Sequence, residues 1–299
     1  MRRMGAYFAE MFPLPTHLAV AVLIYGSVAS FARVIHDVPS TVLSWYAVVG
    51  VWSYFSITLI LRLMDELKDE DIDAALFADR ALPSGRVYKS DIQLSLCVVI
   101  AVYLAVNLTA GAAFWVGLAI LGYAFLMFHW FFARSLLQGS LLITLATHNP
   151  IVPMIILYGF VLFASEHGMA LGTLRWELIV PFAVMLWSPF LAWELARKIR
   201  PEEEEDAYET YSKIFGRPGA VLAVVIAQGV SLVAVAWLWR SLSLSAPYLA
   251  IPVAAYAAFL FAGMRFVLWP GSRTAKLRPF AEAFIVCMLA TQILEFGWA

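Results

Sequence analysis

The chain has 299 residues, of which 63% are hydrophobic and 14% charged; a soluble domain is about 45–50% apolar and about 25% charged, so an ordinary water-soluble globule is excluded. A net charge of -1 excludes the basic balance of a nucleic-acid-binding protein. Cys97 and Cys287 lie in different apolar runs and are expected as small core residues, with neither a disulfide framework nor a cysteine metal site.

Met1-Arg2-Arg3 leads to an apolar run from Leu18 that lacks a small-residue cleavage site, which predicts a retained first helix. Crossing the hydrocarbon core takes about 20 apolar residues. Runs of that kind fall at 15–36, 41–63, 91–109, 113–133, 136–164, 177–197, 218–240, 246–268 and 279–297. The expected fold is all-α: one polytopic transmembrane domain over 1–299, built as a nine-helix bundle. The fifth run carries Asn149-Pro150 and Pro153, and a kink or break is expected there because proline lacks a backbone donor. With the N-terminus placed in the cytoplasm, 17 of the 20 Lys and Arg fall on the cytoplasmic side, leaving Arg33, Arg175 and Arg240 outside. That bias predicts a multi-pass protein of a bacterial cytoplasmic membrane, with the loops at about 64–90 and 194–216 on the cytoplasmic face.

Those two loops carry the chemistry. Of 21 acidic residues, 15 lie between 65 and 91 or between 194 and 209. In the first, Asp65, Asp69 and Asp73 fall at i, i+4 and i+8, on one face of a helix that continues the second span. Three carboxylates on one face repel unless a cation sits among them. Mg²⁺ suits this arrangement, because it takes one or two carboxylates plus phosphate oxygens from a substrate. Lys68, Arg80, Arg86 and Lys198 suit the remaining phosphate charge. The second loop runs from Arg197-Lys198-Ile199-Arg200 into Glu202–Asp206, an acidic block that by itself reads as the solvated end of a helix.

These residues resemble the UbiA superfamily of intramembrane prenyltransferases. That family carries Asn-Asp-x-x-Asp-x-x-x-Asp after its second helix and then a segment ending Arg-Pro-Leu-Pro-Ser-Gly. Here Asp65-Glu66-Leu67-Lys68-Asp69-Glu70-Asp71-Ile72-Asp73 is followed by Arg80-Ala81-Leu82-Pro83-Ser84-Gly85-Arg86. After the sixth span, Glu194 to Asp206 and Thr210-Tyr211-Ser212-Lys213-Ile214-Phe215-Gly216 are similar to the family's second acidic motif and its sequel. The pair Asp65-Glu66 stands where the family has Asn-Asp, and the second motif is Glu-rich, as in a divergent member.

The resemblance implies an enzyme that transfers an alkyl group other than methyl. Mg²⁺ would be held by Asp65, Glu66, Asp69 and Asp73, the implied catalytic set, with a second ion near Glu194, Glu202 and Asp206. Lys68, Arg80, Arg86, Arg197, Lys198 and Lys213 would bind the diphosphate. The implied partners are a prenyl diphosphate, a lipophilic acceptor that is aromatic or otherwise, and membrane lipid. A terpene cyclase of the same superfamily, acting without an acceptor, is the alternative; a non-enzymatic membrane carrier is the weaker one, since nearly all charges sit at one face. Tyr123, Phe128, His129, Trp130 and Phe131, with Trp187 and Trp193, offer ring faces to a carbocation, although each singly reads as ordinary packing. His129 and His148 are candidate proton acceptors.

Overall fold

A computed structural model describes residues 2–39, 44–205 and 209–297. Among the described residues every long regular element is an α-helix: α1 (Arg2–Met11), α2 (Leu14–Ile35), α3 (Trp45–Lys68), α4 (Glu70–Leu76), α5 (Lys89–Asn107), α6 (Ala113–Phe128), α7 (Arg134–Gln138), α8 (Leu141–His148), α9 (Ile151–Glu166), α10 (Trp176–Ala196), α11 (Tyr211–Leu242), α12 (Ala246–Leu268) and α13 (Arg278–Phe296). Taking α8 and α9 as one stretch, eight segments are long and apolar enough to cross a membrane. Many apolar side chains face outward, including Leu94, Val98, Trp115, Val233 and Phe261. In lipid such exposure costs nothing, and the chain is an integral, multi-pass helical membrane protein.

The nine expected runs meet these helices with two instructive differences and one break that was expected. The run 113–133 stops as α6 at Phe128, a helix of 16 residues, about 24 Å long and short of the roughly 30 Å hydrocarbon core. Its expected end is instead a turn in which Trp130, Phe131 and Phe132 all have positive φ (53°, 49° and 58°). The fifth run breaks where Pro150 interrupts it, α8 ending at His148 and α9 starting at Ile151. The run at 218–240 extends back to Tyr211, but Gly216 (φ 69°, ψ 164°) interrupts the helical backbone just before Arg217-Pro218.

The described chain packs as two compact units. The first holds residues 1–25, 41–139 and 157–173. Its centre is α3 against α5 and α6, with Tyr54, Ile57, Ile60, Leu63, Ile92 and Tyr103 buried. Inside it a polar knot joins four helices, α3, α5, α6 and α9. Tyr158 Oη donates to Asn107 Oδ1 at 2.7 Å, Asn107 Nδ2 donates to Ser53 Oγ at 2.9 Å, and Tyr103 Oη donates to the Gly117 carbonyl at 2.9 Å. Every polar atom so satisfied fixes the register of its helices in a medium that offers no competing water. Gly117 must be glycine here, since a Cβ would lie 2.9 Å from both Asn107 Oδ1 and Tyr103 Oη.

The second unit holds residues 26–40, 140–156 and 174–299. The packing of α10 on α11 dominates it, with α12 and α13 completing the bundle. The interface is rich in small residues (Ala192, Ala196, Ala220, Ala227), which let the backbones approach. Ser188 Oγ donates to the Ala227 carbonyl at 2.6 Å and Ser231 Oγ to the Met185 carbonyl at 2.8 Å. Phe31 stacks on Phe182 with centroids 4.0 Å apart.

Gln228, between those two serine contacts on α11, is fully buried, and among the described residues neither its Oε1 nor its Nε2 has a hydrogen-bond partner. A buried amide without partners is unfavourable by about 1–3 kcal/mol. Gln228→Met keeps the length and removes the unmet polarity, so it is expected to raise the apparent melting temperature of the purified protein. A lower melting temperature would show that the amide is satisfied in the membrane.

Candidate functional site

The acidic loop of the first unit is built on the junction of α3 and α4. Asp69 caps α3 with φ −100° and ψ 13°, yet the backbone bonds persist across it: Asp69 N donates to the Asp65 carbonyl at 2.9 Å and Asp73 N to the Asp69 carbonyl at 2.8 Å. The spacing of four therefore advances one helical turn per step, with a kink at the middle carboxylate. The kink separates the environments. Asp65 is exposed, Asp69 half-buried and Asp73 buried.

Each buried carboxylate has an arginine. Arg80 Nη1 donates to Asp73 Oδ1 at 2.7 Å while its guanidinium lies 3.9 Å from the centroid of the Phe77 ring. Glu66, 1% exposed, is paired with Arg62 one turn before it on α3. Tyr7 of α1 closes over that pair, fully buried, and burial pushes its phenol above its ordinary range. Tyr7 Oη, Arg62 Nε and Glu66 Oε1 all remain without hydrogen-bond partners among the described residues. Neither Arg62 nor Tyr7 stood out in the sequence reading. The Arg-x-x-x-Glu spacing on one helix was a legible signal for the first; the second is brought in by docking of α1.

The basic half of the site comes from the turn after α4. Ser84 N donates to the Arg80 carbonyl and Val87 N to the Ala81 carbonyl, each at 3.0 Å, and Gly85 takes the left-handed conformation (φ 73°) that this reversal requires. Ala81, Leu82 and Val87 are buried and anchor it. Arg86 projects from this turn, donating to Ser84 Oγ (3.0 Å) and the Asp79 carbonyl (2.6 Å) and pairing with Glu10 of α1 at 2.6 Å. A second latch, Arg3 to Asp91 at 2.8 Å, holds the other end of α1. Lys68 lies 4.1 Å from the Trp130 ring centroid and interacts electrostatically with Asp65 and Asp69. The aromatic group is in the same unit, with Tyr123 edge-on to Phe131 at 5.4 Å and His129 stacked on Phe132 at 5.8 Å.

Asp65, Asp69, Asp73 and Glu66 are hard oxygen donors, which fit Mg²⁺ better than a softer metal. Among the described residues no three His, Cys, Asp or Glu side chains converge to cage an ion by themselves. Mg²⁺ needs only one or two carboxylates when a substrate brings phosphate oxygens, so Asp65 and Asp69 at the kink are the residues that would hold it.

The acidic loop of the second unit is arranged differently. Glu194 takes Arg197 at 2.5 and 2.8 Å and Lys198 at 3.5 Å. Glu202 opens a short 3₁₀ turn through Glu204. Glu203 accepts from Ser272 N at 2.9 Å and Ser272 Oγ at 2.7 Å, which holds its carboxyl below the usual range. Glu205 accepts from Thr210 Oγ1 at 2.6 Å and lies 3.7 Å from Lys213. Asp206 lies outside the described residues. His148, next to Thr147, and Trp187, which donates to Asn149 Oδ1, also belong to this unit. Trp193 Nε1 donates to Glu282 at 3.1 Å.

No family model matches the chain, and no curated protein matches its sequence. Solved structures do match. One, described as giving structural and mechanistic insights into the biosynthesis of digeranylgeranylglyceryl phosphate synthase in membranes, is 12% identical, covers 100% of both chains and has a TM-score of 0.69. Another, the apo structure of a UbiA homologue from Aeropyrum pernix K1, is 14% identical, covers 91% of this chain and 96% of that one, and has a TM-score of 0.66. Over 91% of its length the chain thus has the fold of that UbiA homologue, and over its whole length that of the synthase structure.

Proposed function

We propose that this protein is an intramembrane prenyltransferase that ionises an isoprenoid diphosphate and passes the prenyl group to a lipophilic acceptor. The observation that carries this reading is the α3–α4 junction, where Asp65 and Asp69 flank Lys68 and the turn bearing Arg80 and Arg86 follows, on a fold shared with a prenyl-lipid synthase. Asp65 and Asp69 would hold Mg²⁺, which supplies positive charge at the leaving diphosphate when bound. Lys68, Arg80 and Arg86 would bind the phosphate oxygens as the C–O bond breaks and the diphosphate leaves with the electron pair. Arg80 is steered by Asp73, and Arg86 exchanges Glu10 for a phosphate oxygen. Trp130, Tyr123 and Phe131 present ring faces that stabilise an allyl cation and exclude water. A nucleophilic carbon or oxygen of the acceptor then takes the cation and loses a proton.

Purified protein incubated with a panel of prenyl diphosphates and candidate acceptors, with Mg²⁺ or excess chelator, tests this by mass spectrometry. Products that need both acceptor and divalent ion are expected. Hydrocarbon or terpenol formed without acceptor would reassign the protein as a cyclase, and full turnover in chelator would remove the metal from the scheme.

A further inference from the structure

One polar side chain of the second unit has no task in the diphosphate chemistry. Asn149 ends α8 inside the apolar stretch Leu141–Glu166, where Pro150 interrupts the helix. The backbone of the break is met locally: Asn149 N donates to the Leu145 carbonyl at 3.0 Å and Val152 N to the Asn149 carbonyl at 3.1 Å. Beside it, Thr147 Oγ1 and His148 Nδ1 engage each other at 3.2 Å. The side-chain amide is held by a different helix, through Trp187 of α10, whose Nε1 donates to Asn149 Oδ1.

That bond fixes which way the amide points. An indole N–H can only donate, so it requires the oxygen and turns the nitrogen away from itself. Asn149 Nδ2 carries two N–H groups, and neither has a partner among the described residues. Within an apolar span no water competes for such a donor, and leaving it unmet is strongly unfavourable. Asn149 is half-buried, not enclosed, so a ligand atom can reach it.

Position along α10 decides what the nitrogen takes. Trp187 and Glu194 share a face of that helix two turns apart, about 10 Å along its axis, with Trp187 near the middle of the span and Glu194 in its last turn. A prenyl diphosphate carries all its oxygens in the head group. Its tail is hydrocarbon and accepts no hydrogen bond. The lipophilic acceptor is the substrate that can bring an oxygen to mid-span. We infer that Asn149, oriented by Trp187, recognises the hydroxyl or carbonyl oxygen of that acceptor, which makes it a specificity residue for the second substrate. The acceptor's role rests on the prenyltransferase reading; the oxygen site itself can be tested without it.

The test uses the full chain in phosphatidylcholine nanodiscs. The first arm omits prenyl diphosphate and compares, by native mass spectrometry, retention of dodecylphenol with that of dodecylbenzene, which has the same ring and tail but no oxygen. One neutral hydrogen bond changes affinity by about fivefold, so the wild type is expected to retain the phenol about fivefold better. Asn149→Leu should retain both alike. Trp187→Phe keeps a ring, frees the amide to turn and should fall in between. Melting temperatures without probe confirm that the variants are folded. The second arm measures transfer: Asn149→Leu should raise KM for the acceptor about fivefold and leave KM for the prenyl diphosphate unchanged. A phenol preference that depends on Asn149 in a protein without transferase activity keeps the oxygen site and removes the prenyltransferase reading. A wild type that retains phenol and hydrocarbon alike, or a folded Asn149→Leu that keeps the preference, overturns the site and leaves that reading standing.

Discussion

Asp69→Asn is expected to lower the rate of prenyl transfer by about 10²-fold or more, the scale seen on removing one well-placed electrostatic stabiliser. Asp69 is the hinge carboxylate between α3 and α4 and stands one turn from both Asp65 and Asp73. Amidation keeps its size and its backbone bonds while removing the charge that balances a cation. Folding is expected to survive, because Asp69 is only half-buried and lies at the end of the span. The contrast is Glu204→Gln, which should leave the rate near wild type: Glu204 is exposed on the short turn Glu202–Glu204, and its backbone carbonyl, which the substitution keeps, is what accepts from Arg200. Steady-state rates of both purified variants, with thermal unfolding as control, decide the matter. A crippled Glu204→Gln beside a healthy Asp69→Asn would move the principal site to the second loop.

The second large effect concerns stability. Arg62→Met should destabilise the first unit by about 3–5 kcal/mol, because it leaves Glu66 buried, unpaired and beneath Tyr7. At about 2 °C per kcal/mol for a chain of this size, the apparent melting temperature falls by roughly 6–10 °C. The double variant Arg62→Met/Glu66→Leu removes both charges and is expected to recover most of the loss, since a buried ion pair replaced by apolar side chains is often neutral. The same pair separates two roles for Glu66. A stable double variant that still turns over assigns Glu66 to holding α1 on the bundle, whereas a stable but dead one assigns it to the site. If Arg62→Met melts with wild type, the buried pair contributes nothing and Tyr7 does not depend on it.

Both predictions depend on partners that sequence reasoning reached only in part. The spacing of Asp65, Asp69 and Asp73 placed them one turn apart, and the backbone keeps that step through the kink. The run of apolar residues marked nearly every span, because bilayer thickness imposes a length and a hydropathy that composition alone carries. Pro150 marked the break between α8 and α9 for an equally local reason, the missing N–H.

What the sequence by itself determined about this protein is therefore what near neighbours and the solvent dictate: an all-helical membrane chain, where its apolar helices run, and where its carboxylates and cations are concentrated. Only the tertiary structure decided which charge meets which. Asp73 finds Arg80 because α4 ends at Leu76 and the chain turns at 77–80, where Arg80 N donates to the Phe77 carbonyl, Arg86 finds Glu10 because α1 docks back from residues far away in sequence, and Lys68 finds Trp130 because α6 ends in a left-handed turn at 130–132. Pairing of this kind depends on distance and burial in three dimensions, and no periodicity along the chain encodes either.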